Sequence, residues 1–301
     1  MGSVLECLPH GSRVAVVRLR SLGDCVLTTP ALDILHRSRP DLRIGIVVED
    51  RFRAIFEENT DVADILPPSI ATLRSWHPQL CVNFHGGTRS AWLSALSGAG
   101  HRAGFGHYRQ QWIYDLHIPR AQNILGDERI VHTAEHLASA MFWLGAARCD
   151  IPRAKLIACN VQRSHAAVIH PVAATPEKTW RADGFLTAAE RLKSFGLEPV
   201  FIGAAGDDLT PFRAFRCVVG APLYEIKSLL AGASFFLGND SGPAHMAAAF
   251  GLPVVVIFGS SNPAIWGPWH TTSEVVSSPR GIASVETAQV LSALERLRVH
   301  A

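Results

Sequence analysis

The chain has 301 residues, enough for about two domains at roughly 150 residues each. Hydrophobic residues make up 48% of the sequence and charged residues 18%, a composition that excludes a disordered chain. The formal net charge is only +2, which argues against a protein that holds nucleic acid by bulk electrostatic attraction.

Features of membrane and secreted proteins are absent from the sequence. The longest apolar runs, such as residues 252–258, are far shorter than the roughly 18–20 residues that a membrane span needs. No basic segment followed by an apolar stretch opens the chain, so we expect no secretory signal. Six cysteines are scattered without a close pair, unlike a disulfide framework or a zinc ribbon. These observations predict a cytoplasmic protein.

Arginine supplies most of the positive charge, and its distribution is uneven. Only four of the 28 basic residues are lysine, and no acidic residue occurs between Asp64 and Asp115. Arginine forks suit carboxylate and phosphate oxygens, so this acid-free stretch favours an anionic partner. A general preference for arginine over lysine explains the ratio of the two residues, but it explains the absence of acidic residues from this stretch less well. Four arginines fall within it: Arg74, Arg89, Arg102 and Arg109.

Strands and helices are predicted to alternate in the first half of the chain. The predicted strands cover residues 13–19, 43–48, 63–66, 80–84 and 112–118. One predicted helix begins after the turn 20–24 and stops before Pro40, and others cover 50–58, 88–96 and 127–144. Gly145 then follows as a helix-ending glycine.

The pattern weakens over residues 150–164, a predicted linker, and then restarts. Strands are predicted at 166–170, 199–202, 235–237 and 253–258, and helices at 185–195, 223–230, 243–250 and 285–299. Two such runs predict an α/β fold with two parallel sheets, each covered by helices. We place the domains at 1–158 and 159–301, and expect a ligand in a cleft at the carboxyl ends of the strands.

Several familiar signatures are excluded or disfavoured by their spacing. Gly98, Gly100 and Gly104 are one residue too far apart for a dinucleotide fingerprint, and the serine of residues 238–242 comes one position too late for a nucleophile elbow. His132, Glu135 and His136 spell a zinc-peptidase pattern. The same segment also fits an ordinary amphipathic helix, which we favour, so we predict no metal site.

The turn Ser21–Asp24 joins the first predicted strand to the next helix. Gly23 lets the backbone turn tightly there. Aspartate commonly caps a helix at this position, so a purely structural role for Asp24 is one interpretation. The carboxyl end of the first strand is also where such sheets bind ligands, which makes Asp24 a candidate catalytic group.

A second polar segment, residues 238–245, reads GNDSGPAH and lies between a predicted strand and a helix. Pro243 suits the first helical turn. Ser241, Gly242 and the helix N-terminus would offer free amides to an anion, and phosphate is the anion that this pattern favours. Lys178, in a loop after another strand, could neutralise a diphosphate, although an isolated lysine is more often only solvated.

These segments together resemble glycosyltransferase family 9, the heptosyltransferases. Residues 16–24 read VVRLRSLGD, against the family pattern V-x-R-x-x-S-L-G-D, and residues 178–180 reproduce its K-x-W element. The longest match is GNDSGPAHMAAAFGLPVVVIFG, residues 238–259. Further similar segments are 83–86 with Arg89 and Ser90, 104–105, 132–145, 262–263 and 266–269.

The resemblance implies a GT-B architecture, with two Rossmann-like domains facing a central cleft and a final helix that can pack back on the first. It implies metal-independent, inverting transfer of a heptose from ADP-L-glycero-D-manno-heptose to the inner core of lipopolysaccharide, without a cofactor. An acceptor anchored in the inner membrane implies peripheral contact with the inner face of that membrane. The resemblance makes Asp24 the catalytic base and assigns sugar-nucleotide contacts to Lys178, Asp240, Ser241, Gly242 and His245, although His245 could equally only pack.

The implied chemistry agrees with these residue types. A sugar nucleotide carries a good leaving group, so transfer needs a base for the acceptor hydroxyl. Fixed positive groups must meet the charge that grows on the departing diphosphate. We count Gly23, Arg18 and Arg89 among the substrate-binding residues. Arg20, Arg102 and Arg109 are further candidates for contact with an anionic acceptor.

Departures from the family pattern leave other functions open. Val172, Ala173 and Ala174 stand where several relatives place hydroxyl groups or glycine, and Arg181 replaces a common proline. One alternative is therefore a relative that uses another sugar nucleotide or another acceptor. The other is a GT-B-shaped binding protein without turnover.

Overall fold

The computed structural model describes residues 3–159, 161–173 and 175–298, except for the side chain of Arg298. Ala174 and Val299, the predicted end of the last helix, lie outside the described residues. The chain divides into two compact units, an N-terminal unit Met1–Ile157 and a C-terminal unit Ala158–Ala301. No helix in the described part of the chain is long and apolar enough to cross a membrane.

The N-terminal unit is built on a sheet of six parallel strands. The strands are β1 (Arg13–Val17), β2 (Arg43–Val47), β3 (Asp64–Leu66), β4 (Leu80–Asn83), β5 (His101–Phe105) and β6 (Leu116–Ile118). Their order is β3-β2-β1-β4-β5-β6. Because the order reverses between β1 and β4, the carboxyl end of β1 lies at a topological switch point, where α/β sheets bind ligands.

Helices cover this sheet and connect its strands. They are α1 (Val4–Cys7), α2 (Leu22–Ser38), α3 (Ile70–Trp76), α4 (Thr88–Ala95), α5 (Ala121–Leu125) and α6 (Thr133–Leu144). The long helix α2 follows β1 directly and packs against α6. Most of α2 is buried in the core. This packing fixes the position of the turn from which the helix starts.

The C-terminal unit repeats the same plan. Its strands are β7 (Ala166–His170), β8 (Glu198–Gly203), β9 (Arg216–Val219), β10 (Phe235–Asn239), β11 (Val254–Phe258) and β12 (Ser273–Ser277), in the parallel order β12-β11-β10-β7-β8-β9. Its helices are α7 (Ala182–Ser194), α8 (Leu223–Gly232), α9 (Gly242–Ala249), α10 (Pro263–Trp266) and α11 (Thr287–Arg298). The switch point here lies between β7 and β10, and both polar segments of this unit follow those two strands.

The two-sheet α/β prediction is confirmed, and one predicted helix is wrong at its start. The helix predicted over residues 127–144 begins only at Thr133. Gly126 ends α5 with a left-handed φ of 73°, and Asp127 folds back to accept hydrogen bonds from Arg129. Gly145 does follow α6, with a φ of 125°.

Other differences concern short or polar elements. Residues 112–118 are a short 3₁₀ turn, Gln111–Ile113, followed by β6, and the helix predicted over 50–58 is the 3₁₀ turn Asp50–Ile55. Sequence patterns missed the short helices α1, α3, α5 and α10 and the strands β5, β9 and β12. The missed strands carry charged or polar residues or glycine among only four or five positions, too few for an apolar period to show.

Candidate active site

Asp24 is the third residue of α2, at the carboxyl edge of the N-terminal sheet. Its Oδ2 accepts hydrogen bonds from the backbone N–H of Ser21 at 3.2 Å and from the Ser21 hydroxyl at 3.0 Å. Asp24 therefore does cap its helix, as the structural interpretation predicted. Its other oxygen, Oδ1, lies 3.4 Å from a guanidinium nitrogen of Arg18.

The Arg18–Asp24 pair lies in an open recess of about 450 Å³ within the N-terminal unit. The side chain of Arg18 is 8% exposed and that of Asp24 is 21% exposed, so the buried member is the cation. Within the described residues, the buried Nε of Arg18 has no hydrogen-bond partner. The residues that line the recess are Arg18, Arg20, Ser21, Asp24, Arg51, Phe52 and His85.

His85 is a member of this recess that the sequence reasoning did not single out. Its Nδ1 lies 3.2 Å from the carbonyl oxygen of Arg20, and its backbone N–H donates to Asn83 Oδ1 at 2.9 Å. Burial and the charge of Arg18 lower the pKa of His85, so the ring is neutral at neutral pH. The available signal was its place in the family-like segment 83–86, two residues after the end of β4.

The five arginines predicted for an anionic acceptor are not all brought together. Arg18 and Arg20 line the recess, whereas Arg89 pairs with Glu49, which also binds the recess residue Arg51. Arg109 is exposed.

Arg102 lies away from this edge of the sheet. In the sheet, Arg102 pairs with Cys81 of β4, and Cys81 pairs with Ala15 of β1. Arg102 therefore lies nearer the amino ends of the strands than their carboxyl ends. There it binds Asp115 at 3.3 Å. Its contacts are those of a structural pair, and the structure does not join it to the recess.

The second candidate region lies in the C-terminal unit and joins Lys178 to Asp240. Lys178 Nζ donates to Asp240 Oδ2 at 3.2 Å. The Lys178 side chain is 33% exposed and that of Asp240 only 9%, so here the buried member is the carboxylate. Two residues that are 62 positions apart in the sequence thus form one site.

Asn239, the last residue of β10, holds the loop that carries Lys178. Its side-chain Nδ2 donates to the carbonyl oxygen of Pro171 at 2.8 Å, and its Oδ1 accepts from the backbone N–H of Trp180 at 3.1 Å. Trp180 is buried and donates from Nε1 to the carbonyl oxygen of Val285. The K-x-W element is therefore fixed by its tryptophan, which leaves Lys178 in place beside Asp240.

Gly259, at the end of the longest family-like segment, makes room for the same loop. A Cβ at Gly259 would lie 2.2 Å from the carbonyl oxygen of Glu177 and 3.2 Å from the Cα of Lys178. Any larger residue must push the loop away, which gives a physical reason for glycine at this position.

Helix α9 begins beside this pair, with Ser241 as its N-cap residue. The Ser241 hydroxyl makes no capping bond to the helix and instead pairs with Nδ1 of His170 at 3.0 Å. The first amides of a helix have no intrahelical acceptor, so the start of α9 at Gly242 is suited to an anion. Burial lowers the pKa of His170 to about 4, so its ring is neutral. His245, one turn further on, is buried.

The three side chains of the H-x-x-E-H motif cap a helix or pack against neighbouring residues. His132 is the N-cap residue of α6, and its Nδ1 accepts from the N–H of Ala134. Glu135 accepts from the N–H of His132 and pairs with Arg129. The ring of His136 stacks on Phe105 with centroids 4.1 Å apart. The helical interpretation of this segment is confirmed, and within the described residues no group of three His, Cys, Asp or Glu side chains could hold a metal.

Comparison with known proteins finds similarity to one family over most of the chain. The model of the family "Glycosyltransferase family 9 (heptosyltransferase)" matches residues 71–293. Lipopolysaccharide heptosyltransferase 3 of Escherichia coli K12 is 26% identical over 289 residues, which cover 83% of each chain. Lipopolysaccharide heptosyltransferase 1 of the same strain is 24% identical over 335 residues, covering 95% of this chain and all of the relative.

Solved structures show the same fold. A glycosyl transferase family 9 protein from Veillonella parvula superimposes with a TM-score of 0.83 at 20% identity, covering 96% of this chain and 98% of that one. The E. coli heptosyltransferase WaaC with ADP gives a TM-score of 0.80 at 19% identity, covering 94% and 99%. The pair of Rossmann-like sheets is the GT-B type of fold that the sequence predicted. The chain belongs to glycosyltransferase family 9, the heptosyltransferases, and is a glycosyltransferase.

Proposed function

We propose that this protein transfers a heptose from ADP-L-glycero-D-manno-heptose to the inner core of lipopolysaccharide, with inversion at the anomeric carbon and without a metal ion. The observation that carries the proposal is the Lys178–Asp240 pair beside the uncapped start of α9. The names of the relatives support the reaction class, since they are lipopolysaccharide heptosyltransferases and one solved neighbour holds ADP.

The donor half of the reaction is assigned to the C-terminal unit. Lys178 supplies an ammonium group and the start of α9 supplies backbone amides, and both kinds of donor stabilise phosphate oxygens. Negative charge grows on the diphosphate as the bond to the sugar breaks. Groups that are already in place to meet that charge lower the barrier, in the role that a divalent cation otherwise has. Asp240 holds Lys178 in position and offers its remaining oxygen to a sugar hydroxyl.

The acceptor half is assigned to the recess of the N-terminal unit. An acceptor hydroxyl attacks the anomeric carbon from the face opposite the diphosphate. Its proton passes to the carboxylate of Asp24, the new glycosidic bond forms, and ADP departs. One displacement of this kind inverts the anomeric centre. Arg18 and Ser21 hold Asp24 through its two oxygens, so the base is positioned before the acceptor arrives.

The cations around Asp24 support an anionic acceptor. Arg18, Arg20 and Arg51 all line the recess, together with the neutral ring of His85. Arginine forks bind phosphate and carboxylate oxygens well, and inner-core lipopolysaccharide carries both groups. We include Arg89 as a substrate-binding residue because it shares Glu49 with Arg51. Gly23 is the second residue of α2, is buried and has no positive φ, so the tight turn expected of it is not formed there. We keep it among the substrate-binding residues because it directly precedes Asp24.

A thermal-shift series with ADP, UDP and GDP tests the nucleotide preference, because a ligand that binds the folded state raises the midpoint of unfolding. We expect ADP to give the largest shift. Val172 and Ala173, which follow β7, favour the alternative of a different sugar nucleotide, and a larger shift with UDP would select that alternative.

Transfer itself is tested by mass spectrometry of a core acceptor incubated with ADP-heptose. We expect the acceptor to gain one heptose in the presence of a chelator, with the inverted anomeric configuration by NMR. Turnover that disappears with the chelator and returns with Mg²⁺ would contradict the metal-free mechanism. Nucleotide binding without transfer to any acceptor would favour the binding-protein alternative.

A further inference from the structure

An exposed pair of tryptophans lies in the acid-free part of the N-terminal unit and has no role in either candidate half-site. The Trp92 side chain on α4 and the Trp112 side chain in the following 3₁₀ turn are 48% and 70% exposed. Their rings meet edge to face with centroids 6.1 Å apart. Leu96, one turn after Trp92, is also exposed, so three large apolar side chains face solvent together.

The two tryptophans belong to segments that are held in place by buried side chains and a hydrogen bond. Ala91 and Ile113, the chain neighbours of Trp92 and Trp112, form a small buried cluster with Tyr114. Gln110 donates from its side chain to the Thr88 hydroxyl at 3.1 Å, which ties the loop to the start of α4. The exposure of the tryptophans is therefore a property of ordered elements, and ordering the patch on binding costs little.

The charged side chains of the chain segment that carries the patch, residues 88–114, are all arginine. Arg109 is exposed in the loop that leads to Trp112, and residues 65–114 contain no carboxylate. Arg89 lies one turn before Trp92 and is paired with Glu49, and Arg102 is paired with Asp115. Exposed aromatic and aliphatic side chains on the same segment as the exposed Arg109 match the interface of an anionic bilayer, where indole rings lie at headgroup level.

We propose that Trp92, Leu96 and Trp112, which we name the tryptophan patch, dock on an anionic lipid surface, with Arg109 supplying electrostatic attraction. The patch is linked to the recess through Asn83, the last residue of β4. Asn83 donates to Ser90 of α4 at 3.1 Å, and its Oδ1 holds the backbone of the recess residue His85. Docking would hold the recess close to an acceptor that is embedded in the same bilayer, and this consequence alone rests on the proposed function.

The test is sedimentation of the full chain with vesicles of phosphatidylcholine, with and without phosphatidylglycerol. We expect binding only to the anionic vesicles, and weaker binding at high salt. The variant Trp92→Ala/Trp112→Ala should bind at least about tenfold more weakly, since each indole would bury roughly half of its 150–250 Å². The matched control is Trp143→Ala, because Trp143 is an exposed tryptophan on α6 and should leave binding unchanged.

A single charge change isolates the electrostatic part. Arg109→Gln should weaken binding about fivefold, whereas Arg213→Gln, at an exposed position in the C-terminal unit, should not change it. Trp112→Glu is a second variant at a position exposed enough to leave the fold intact, and it should also abolish sedimentation with anionic vesicles.

Three results would overturn the proposal: no vesicle binding by the parent protein, equal binding by the double variant, or a change from dimer to monomer in the double variant. The last result would show that a second copy covers the patch. A separate activity assay compares heptose transfer to an acceptor embedded in vesicles with transfer to the deacylated form of the same acceptor. The double variant should lose transfer only to the embedded acceptor, and failure of both acceptors with the parent protein would count against the proposed function and not against lipid docking.

Discussion

The two units each present one pair of opposite charges at the switch point of their sheet, and the two pairs are arranged in opposite senses. In the N-terminal unit the arginine is buried and Asp24 is the more exposed partner. In the C-terminal unit Asp240 is buried and Lys178 is the more exposed partner. The separations are similar, 3.4 Å and 3.2 Å.

This reversal shows how similar folds can present different chemistry. A buried charge is held in place by its partner, because leaving either one alone in the interior is costly. The more exposed member keeps the greater access to solvent, so its charged group is the one that a substrate reaches first, while its partner holds it in place. The N-terminal unit thus offers a carboxylate, which can accept a proton, and the C-terminal unit offers an ammonium group, which can bind phosphate.

The strongest test of this comparison removes the exposed carboxylate. Asp24→Asn keeps the size of the side chain but loses the basic oxygen, and we expect kcat to fall by about 10²–10⁴-fold. ADP affinity, measured by titration calorimetry, should change less than about twofold. The control is Asp33→Asn, which alters a carboxylate on the same helix that pairs with Arg37. Parallel loss of turnover and ADP affinity would instead show that Asp24 acts only as a helix cap.

The complementary change removes the exposed ammonium. Lys178→Met should weaken ADP binding by about 10–100-fold, because one charge-assisted contact to phosphate is lost. It should also lower the unfolding midpoint, since Asp240 is left buried without its cation. Adding Asp240→Asn should restore stability but not ADP affinity. Lys193→Met, at an exposed position on α7, should affect neither property.

Adding a methyl group at Gly259 tests whether Lys178 functions only when its loop keeps the position seen in the structure. Gly259→Ala places a methyl group against Glu177 and should destabilise the C-terminal unit by about 1–3 kcal/mol, with weaker ADP binding. Gly206→Ala is the control, because nothing lies within 4 Å of a Cβ at that position. Unfolding in urea and ADP titration measure the two effects. Wild-type behaviour of Gly259→Ala would mean that the loop moves freely.

The smallest expected effect is a pH dependence that both units share. Burial lowers the pKa of His170 to about 4, and burial with the charges of His107 and Arg18 does the same for His136. Each neutral ring therefore contributes stability above about pH 6.5 that declines as pH falls and is absent below about pH 4. When the pH falls from about 7 to about 5.5, each of the two histidines should lower the free energy of unfolding by about 1 kcal/mol.

Unfolding free energies at these two pH values test the assignment. His170→Asn retains a partner for the Ser241 hydroxyl and should reduce the pH-dependent loss by about that amount, and His136→Asn should act alike in the N-terminal unit. An unchanged pH slope in His170→Asn would show that the histidine is not held neutral in the folded state.

Much of the fold could be predicted from the sequence because buried parallel strands are continuous apolar runs. The strands at residues 13–17 and 254–258 are of this kind, and each is followed or preceded by glycine-containing turns. Strand β5 escaped prediction because it begins with His101 and Arg102 and is buried only at its last three residues. The helix that begins at Thr133 was predicted to begin at residue 127, because apolar spacing does not reveal that Asp127 accepts hydrogen bonds from Arg129 and that His132 caps the helix.

The sequence by itself determined the two-sheet class and the family. It also singled out Asp24, Lys178 and Asp240 as candidate site residues, since each lies in a short polar segment that follows a predicted strand. Only the tertiary structure decided which charges meet. Lys178 and Asp240 are far apart in the chain, and their contact depends on the pairing of β7 with β10. Which partner of a pair is buried also follows from packing by distant segments, and for that reason the opposite arrangement of the two pairs could not be predicted from the sequence.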